Sequence, residues 1–310
     1  MEIARKAMLE EAEKLECEEV REALKYFMNE CWRDTARPAL LSVACESLGG
    51  DPDITIPIAV PLILIGGAVD IHDDIIDKTE IKRAYPTIYG KFGKDIALLV
   101  GDALLFKGLT LLHEAAKEIK PEKIYTIFKI LKKFFFELGD AEAYEVALRG
   151  KKTLKIEEYM EFVKKKAAEF EAYMRISAIL ADASGEQIET LGKFGRILGM
   201  LVILGDDNAD MLDYGEMISR IKNEVLPLPI ISALRKPHLK KKLMPILQSK
   251  ELTKKDAEKI FNIIYTANIF GEVEENFMRL IDEGRDILKN ITNTKWLTQI
   301  LESTYPKNEL

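Results

Sequence analysis

Apolar residues recur at three- and four-residue spacing along almost the whole chain, a period that predicts one helix after another. The segment "LLSVACESLGG" keeps that spacing and stops at Gly49-Gly50, a helix stop signal. "DPDITIPIAVPLILIGGAVDIHDDIID" predicts a second, more buried helix, and "DIALLVGDALLFKGLTLLHEAAKEI" a third, with Gly101 and Gly108 as points of close packing. "PEKIYTIFKILKKFFFELGDAEAYEVALRG" opens at Pro121, which suits a first-turn position. "KIEEYMEFVKKKAAEFEAYMRISAILADASG" reads as one long amphipathic helix ending at Gly185. "EQIETLGKFGRILGMLVILGDDNADML" is another apolar helix. From "PLPIISAL" to "KWLTQILESTY" the pattern shortens into helices broken by Pro237 and Pro245. Period-two alternation is nearly absent and no polar linker interrupts the chain. The pattern predicts an all-α bundle, a single domain over residues 1–310.

Composition narrows the partners. Hydrophobic content of 47% is ample for a core, and a net charge of −7 argues against nucleic acid, which needs a basic face. Cys17, Cys31 and Cys45 form no CxxC pair and no even framework, so a reducing cytoplasm is the expected compartment. The opening "MEIARKAMLEEAEKLECEEV" is charged throughout and does not resemble a signal peptide. The longest apolar run contains Pro57, Pro61 and Gly66-Gly67. It falls short of the ~20 residues that span a bilayer and reads as a buried helix, with no transmembrane segment expected.

Chemistry concentrates at two acidic clusters. In "DDIID" Asp73 and Asp77 are four residues apart, on one helical face, with Asp74 beside them. "GDDNAD" repeats the arrangement with Asp206, Asp207 and Asp210. Each cluster ends a strongly apolar helix, where a carboxylate is costly unless a cation neutralises it. One such motif could be a solvated helix end, but two copies on two apolar helices point to metal. Two such helices facing each other would line one cavity mouth. Mg²⁺ takes oxygen ligands and is usually held by one or two carboxylates together with substrate phosphates. Neither segment has the turn glycine and closing glutamate of an EF-hand loop.

With those motifs in view the chain resembles the trans-isoprenyl diphosphate synthases, of the class I isoprenoid synthase superfamily. "RPALLSVACESLGGDPD" is similar to the family's early helix, "IHDDIIDKTEIKRAYPTIYGKFGKDIALLVGDALL" to its first aspartate-rich motif, "EEYMEFVKKKAAEFEAYMRISAILA" to its KT helix and "LVILGDDNAD" to its second motif. The resemblance implies a helical bundle around a deep central cavity, commonly a homodimer. It implies three Mg²⁺ held with the diphosphate of an allylic prenyl substrate, Asp73, Asp77, Asp206 and Asp210 being the metal ligands. Ionisation of the allylic diphosphate then precedes attack by isopentenyl diphosphate. An apolar cavity protects a cation from water. Phe162, Phe170 and Tyr173 are candidates for its wall, with ordinary core as their plainer reading.

Against that pattern the chain keeps some positions and loses others. Lys166 falls on the KT lysine, but Ala167 replaces the threonine. The Gly-Lys pair after the second motif is missing from "GEMISRIKNEVLPLPI", where Lys222 is a possible substitute. On the acceptor side Arg37 is kept, Asp34 replaces a diphosphate-binding lysine, Gly66 replaces a histidine, and Lys82 and Arg83 stand for paired arginines. Asp140 takes the place of a glutamine. Ala68 and Val69 are small where bulky residues would shorten the product, so a chain of roughly C20 or longer is expected by analogy. Asp70, Glu169, Glu171 and Arg175 are unusual for such a cavity. Intact metal motifs beside a depleted acceptor site put a terpene-synthase-like reaction without isopentenyl diphosphate first. Chain elongation with isopentenyl diphosphate is the alternative, and a non-catalytic partner subunit the third reading.

Overall fold

The computed structural model describes residues 1–32, 34–82, 85–249 and 251–304. The chain forms two compact units, one of Met1–Phe128 with Ile179–Asp182 and one of Lys129–Ala178 with Ala183–Leu310.

The first unit holds α1 (Glu2–Ala12), α2 (Glu18–Tyr26) running on into a π-turn, α3 (Ala36–Ser47), α4 (Ile56–Asp77) and α5 (Ile88–Ala115). Its boundary with the second unit falls within α6 (Pro121–Leu148). Helix α4 is apolar on nearly every face because nearly every face is covered: Ile58, Leu62, Ile63, Leu64 and Ile65 are at most 1% exposed. Each such side chain contributes about 1.5–3 kcal/mol by burial. Gly101 and Gly108 let α5 approach α4 closely, as expected. A Cβ on Gly101 would stand 2.4 Å from His72 Nε2, and one on Gly108 2.6 Å from Ile65 Cγ1. Gly93, at φ +82°, breaks the helical path near the start of α5, so the continuous helix begins close to the expected Asp95.

The prolines do not shorten α4 as the apolar run suggests. Pro57 lies in the first turn, Pro61 sits inside the helix, and α4 and α5 are each long and apolar enough to cross a membrane by length and composition. Helix α5 buries Ala97, Val100, Leu104 and Leu112 but exposes Leu98, Leu99, Phe106 and Leu109.

In the second unit the expected single helix through "KKKAAEF" is two: α7 (Ile156–Lys166) and α8 (Ala168–Leu180), offset at Ala167, whose ψ of 1° leaves the helical path. Behind the offset lies α9 (Gly185–Asp210), capped by Ser184 and Gln187. Cβ atoms on Gly195 and Gly199 would come within 2.5–2.9 Å of Phe170 and Ala167, so the break seats both halves against a glycine-lined face. Helices α10 (Tyr214–Asn223), α11 (Leu228–Leu234), α12 (Pro237–Leu247), α13 (Lys254–Thr266), α14 (Ile269–Leu288) and α15 (Lys295–Ser303) follow. Pro237 opens α12 but Pro245 lies within it, so only the first proline acts as a boundary. Strand content among the described residues is one hairpin, β1 (Ile81–Lys82) against β2 (Tyr85–Pro86).

Candidate active site

The first aspartate motif occupies the last turn of α4. Lys78 ends the helix in the left-handed region at φ 58°, which turns the chain into the hairpin. Thr87 ties that hairpin down: its hydroxyl donates to the Thr79 carbonyl at 2.6 Å and accepts from Gly90 N at the start of α5. The hairpin in turn brings Lys82 to Asp74, Nζ to Oδ1 at 2.9 Å. Asp74 and Asp77 are buried, while Asp73 is half-buried. Burial pushes the Asp74 carboxyl up to about 6; Lys82 opposes the rise, and Asp73 and Asp70 add to it. Asp73 Oδ1 is buried and finds no hydrogen-bond partner among the described residues. A buried carboxylate oxygen left open beside two more carboxylates fits a cation ligand. Arg83 lies outside the described residues.

The second motif ends α9. Asp206 is exposed, Asp207 fully buried and Asp210 between the two. Asp207 accepts from the Tyr159 hydroxyl on α7, from Leu228 N at the start of α11 (3.1 Å) and from the Arg220 guanidinium. Arg220 also donates to Asp210 at 2.9 Å and lies 3.2 Å from Glu224. Asp213 positions Arg220 indirectly by capping α10, accepting from Gly215 N at 2.7 Å. Burial pushes Asp210 up to about 6, with Arg220 opposing and Asp207 adding. Burial followed by the neighbouring Asp207 drives the Tyr159 hydroxyl well above its ordinary value, so it stays a donor. Lys222 is exposed. The basic partner of the second motif is Arg220, which sequence reasoning missed. Its signal was its place on the apolar face of α10, between buried Met217 and Ile221.

Lys166 pairs with Glu142 (3.2 Å) and with buried Glu145 on α6. It is a half-buried, internally paired lysine at the α7–α8 break. Asp140 is exposed and pairs with Lys165. Phe162 and Tyr173 are buried core, and Phe170 packs on α9. Glu171 is held between Arg175 and Arg196, and Arg175 reaches Glu189, so these unusual charges form a chain of ion pairs. Tyr173 donates to Glu169 at 2.5 Å.

Arg37 is clamped by two acids. Its Nη1 donates to Asp34 at 2.8 Å, and both terminal nitrogens reach Asp70 at 3.0–3.1 Å. Asp34 also accepts from the backbone N–H groups of Ala36 and Arg37, at the start of α3. Gly66 makes room for this arginine: a Cβ there would stand 2.8 Å from Arg37 Nε. Asp34 and Asp70 therefore act first on Arg37.

No three His, Cys, Asp or Glu side chains among the described residues converge as a preformed metal cage.

An all-α architecture with acidic motifs ending two apolar helices defines an isoprenoid synthase-type protein. The chain belongs to the Polyprenyl synthetase family, whose family model matches residues 18–264. It is similar to geranylgeranyl diphosphate synthase of Methanosarcina mazei, 27% identical over 294 residues, covering 92% of this chain and 89% of that protein. It is 30% identical over 219 residues to (2E,6E)-farnesyl diphosphate synthase of Mycobacterium tuberculosis, covering 70% of this chain and 56% of that one. The crystal structure of geranylgeranyl pyrophosphate synthetase from Pyrococcus horikoshii superposes with a TM-score of 0.80 at 25% identity, covering 96% and 93% of the two chains.

Proposed function

We propose that the protein is a Mg²⁺-dependent trans-prenyl diphosphate synthase that lengthens an allylic prenyl diphosphate with isopentenyl diphosphate, to about C20 or beyond. One observation carries this reading: the chain aligns over 92% of its length with a geranylgeranyl diphosphate synthase. That alignment reverses the order reached from the sequence, where the depleted acceptor site put a terpene-synthase-like outcome first. Asp73 and Asp77 of the first motif, with Asp206 and Asp210 of the second, are the residues to hold the ions. Bound Mg²⁺ would supply Lewis-acid activation of the leaving diphosphate. The chain's own part is positional. Lys82 steadies Asp74 and Arg220 steadies Asp207, the second aspartate of each pair.

The test is incubation of the purified protein with farnesyl or geranylgeranyl diphosphate, with and without isopentenyl diphosphate, in Mg²⁺ or in chelator. A longer prenyl diphosphate that needs both isopentenyl diphosphate and Mg²⁺ is expected. A hydrocarbon or alcohol formed without isopentenyl diphosphate would overturn the reading, and no pyrophosphate release at all would favour a partner subunit. The exposed Leu98, Leu99, Phe106 and Leu109 of α5 suit a contact with a second copy. Sedimentation should then show a dimer that Phe106→Lys with Leu99→Lys dissociates.

A further inference from the structure

At the second motif a cation of the chain itself stands among the carboxylates. Arg220 donates from Nη1 to Asp210 at 2.9 Å and from Nη2 to Asp207, while its buried Nε lies 3.2 Å from Glu224 as an ion pair, without a hydrogen bond among the described residues. These acids differ in access. The Asp207 side chain is sealed at 0% exposure and is further held by Tyr159 and by Leu228 N. Glu224, at 16%, lies one helical turn on from Arg220. Asp210 is the most open at 25%, and Asp206 on the preceding turn is exposed. One guanidinium stands among three carboxylates, with Asp206 on the preceding turn as a fourth acid. A divalent cation is attracted to such a place but must first take Asp210 from the arginine.

We propose that Arg220 is a positioning residue, the resident counter-cation of the second motif. It holds Asp210 while no divalent ion is present. When an ion arrives together with a diphosphate, it yields that carboxylate and stays anchored on Asp207 and Glu224. The first motif differs in kind, because Lys82 engages Asp74 and leaves the buried Asp73 Oδ1 without a partner. The first motif therefore takes a divalent ion from solution unaided, and the second takes one only with the diphosphate. This inference deepens the proposed function and rests on it only for the identity of the diphosphate substrate.

The experiment follows Mn²⁺ by electron paramagnetic resonance, with and without inorganic pyrophosphate, against the same titrations lacking protein. Wild type should show one class of bound Mn²⁺ without pyrophosphate, removed by Asp73→Asn, and a further class only when pyrophosphate is added. Arg220→Gln should bind the further Mn²⁺ without pyrophosphate, about tenfold tighter or more, since a hydrogen-bonded charge no longer competes. Asp210→Asn in that background should abolish the gain. Unchanged or weaker Mn²⁺ binding by Arg220→Gln overturns the assignment. Circular dichroism reports whether Arg220→Gln folds. If it does not, Arg220→Lys decides, because a lysine cannot hold three acids in a fixed fork and should tighten Mn²⁺ about threefold; an unchanged Arg220→Lys overturns the proposal. Prenyl-chain elongation is scored separately. Its absence with the Mn²⁺ gain intact defeats the proposed function alone, and its presence without the gain defeats the Arg220 assignment alone.

Discussion

Tyr159→Phe isolates one hydrogen bond of the second motif. The ring stays, 5.9 Å from the Phe162 ring, and only the hydroxyl that donates to Asp207 is lost. Both partners are sealed, Tyr159 at 1% and Asp207 at 0% exposure, so water cannot replace the lost donor. Asp207 keeps Leu228 N and Arg220, which rules out a fully orphaned charge. A hydrogen bond to a charged group contributes about 1.5–3 kcal/mol, and the cost should fall in that range. Asp207→Asn is harsher, about 3–5 kcal/mol, because it breaks a buried ion pair and leaves Arg220 with the more exposed acids. The double variant supplies the control. If the two side chains act through each other, the double variant should cost less than the sum by about 1 kcal/mol or more. Urea unfolding followed by circular dichroism measures all three, provided each melts in a single transition with an unchanged slope. A Tyr159→Phe cost under about 0.5 kcal/mol with an additive cycle would refute the argument.

Asp34→Lys replaces the acid that clamps Arg37 with a cation. It should lower the KM for isopentenyl diphosphate about tenfold, since like-charge mismatch costs several kcal/mol; a KM that stays or rises would show that Arg37 and Asp34 do not face the acceptor. Gly108→Ala should cost about 1–3 kcal/mol in thermal or urea unfolding, because its Cβ meets Ile65 and the Pro61 carbonyl, whereas Gly139→Ala, with nothing within 4 Å, should gain up to about 1 kcal/mol. The raised carboxyls of Asp74 and Asp210 set a pH dependence. Both hold a proton more tightly folded than unfolded, so their burial cost is absent below the ordinary value of 3.8 and complete above about 6. Their contribution to stability should therefore fall as pH rises from 4 to 6, and Asp74→Asn should flatten that slope.

The all-α class, the opening of α6 at Pro121 and both aspartate motifs were legible from spacing alone. Each follows from a local rule: a period of burial, a missing N–H, or carboxylates at the end of an apolar run. The break at Ala167 was not legible, because the segment is amphipathic straight through and only Gly195 and Gly199 on another helix make the offset favourable. The prolines misled for a similar reason, since Pro61 and Pro245 sit within helices whose packing tolerates them.

Ion partners were the least legible feature. The family resemblance marks Arg37 as a diphosphate-binding candidate, and spacing does not establish which basic residue serves the second motif. In the fold Arg37 meets Asp34 and Asp70, the latter 33 residues away, and Arg220 meets Asp207 and Asp210. Residue spacing alone specifies the all-α class, which helix ends carry acid, and so the kind of chemistry to look for. Tertiary structure alone decided which cation each carboxylate meets. Helical periodicity reports burial within a few residues, whereas an ion pair depends on how closely two segments approach and how much water is excluded between them.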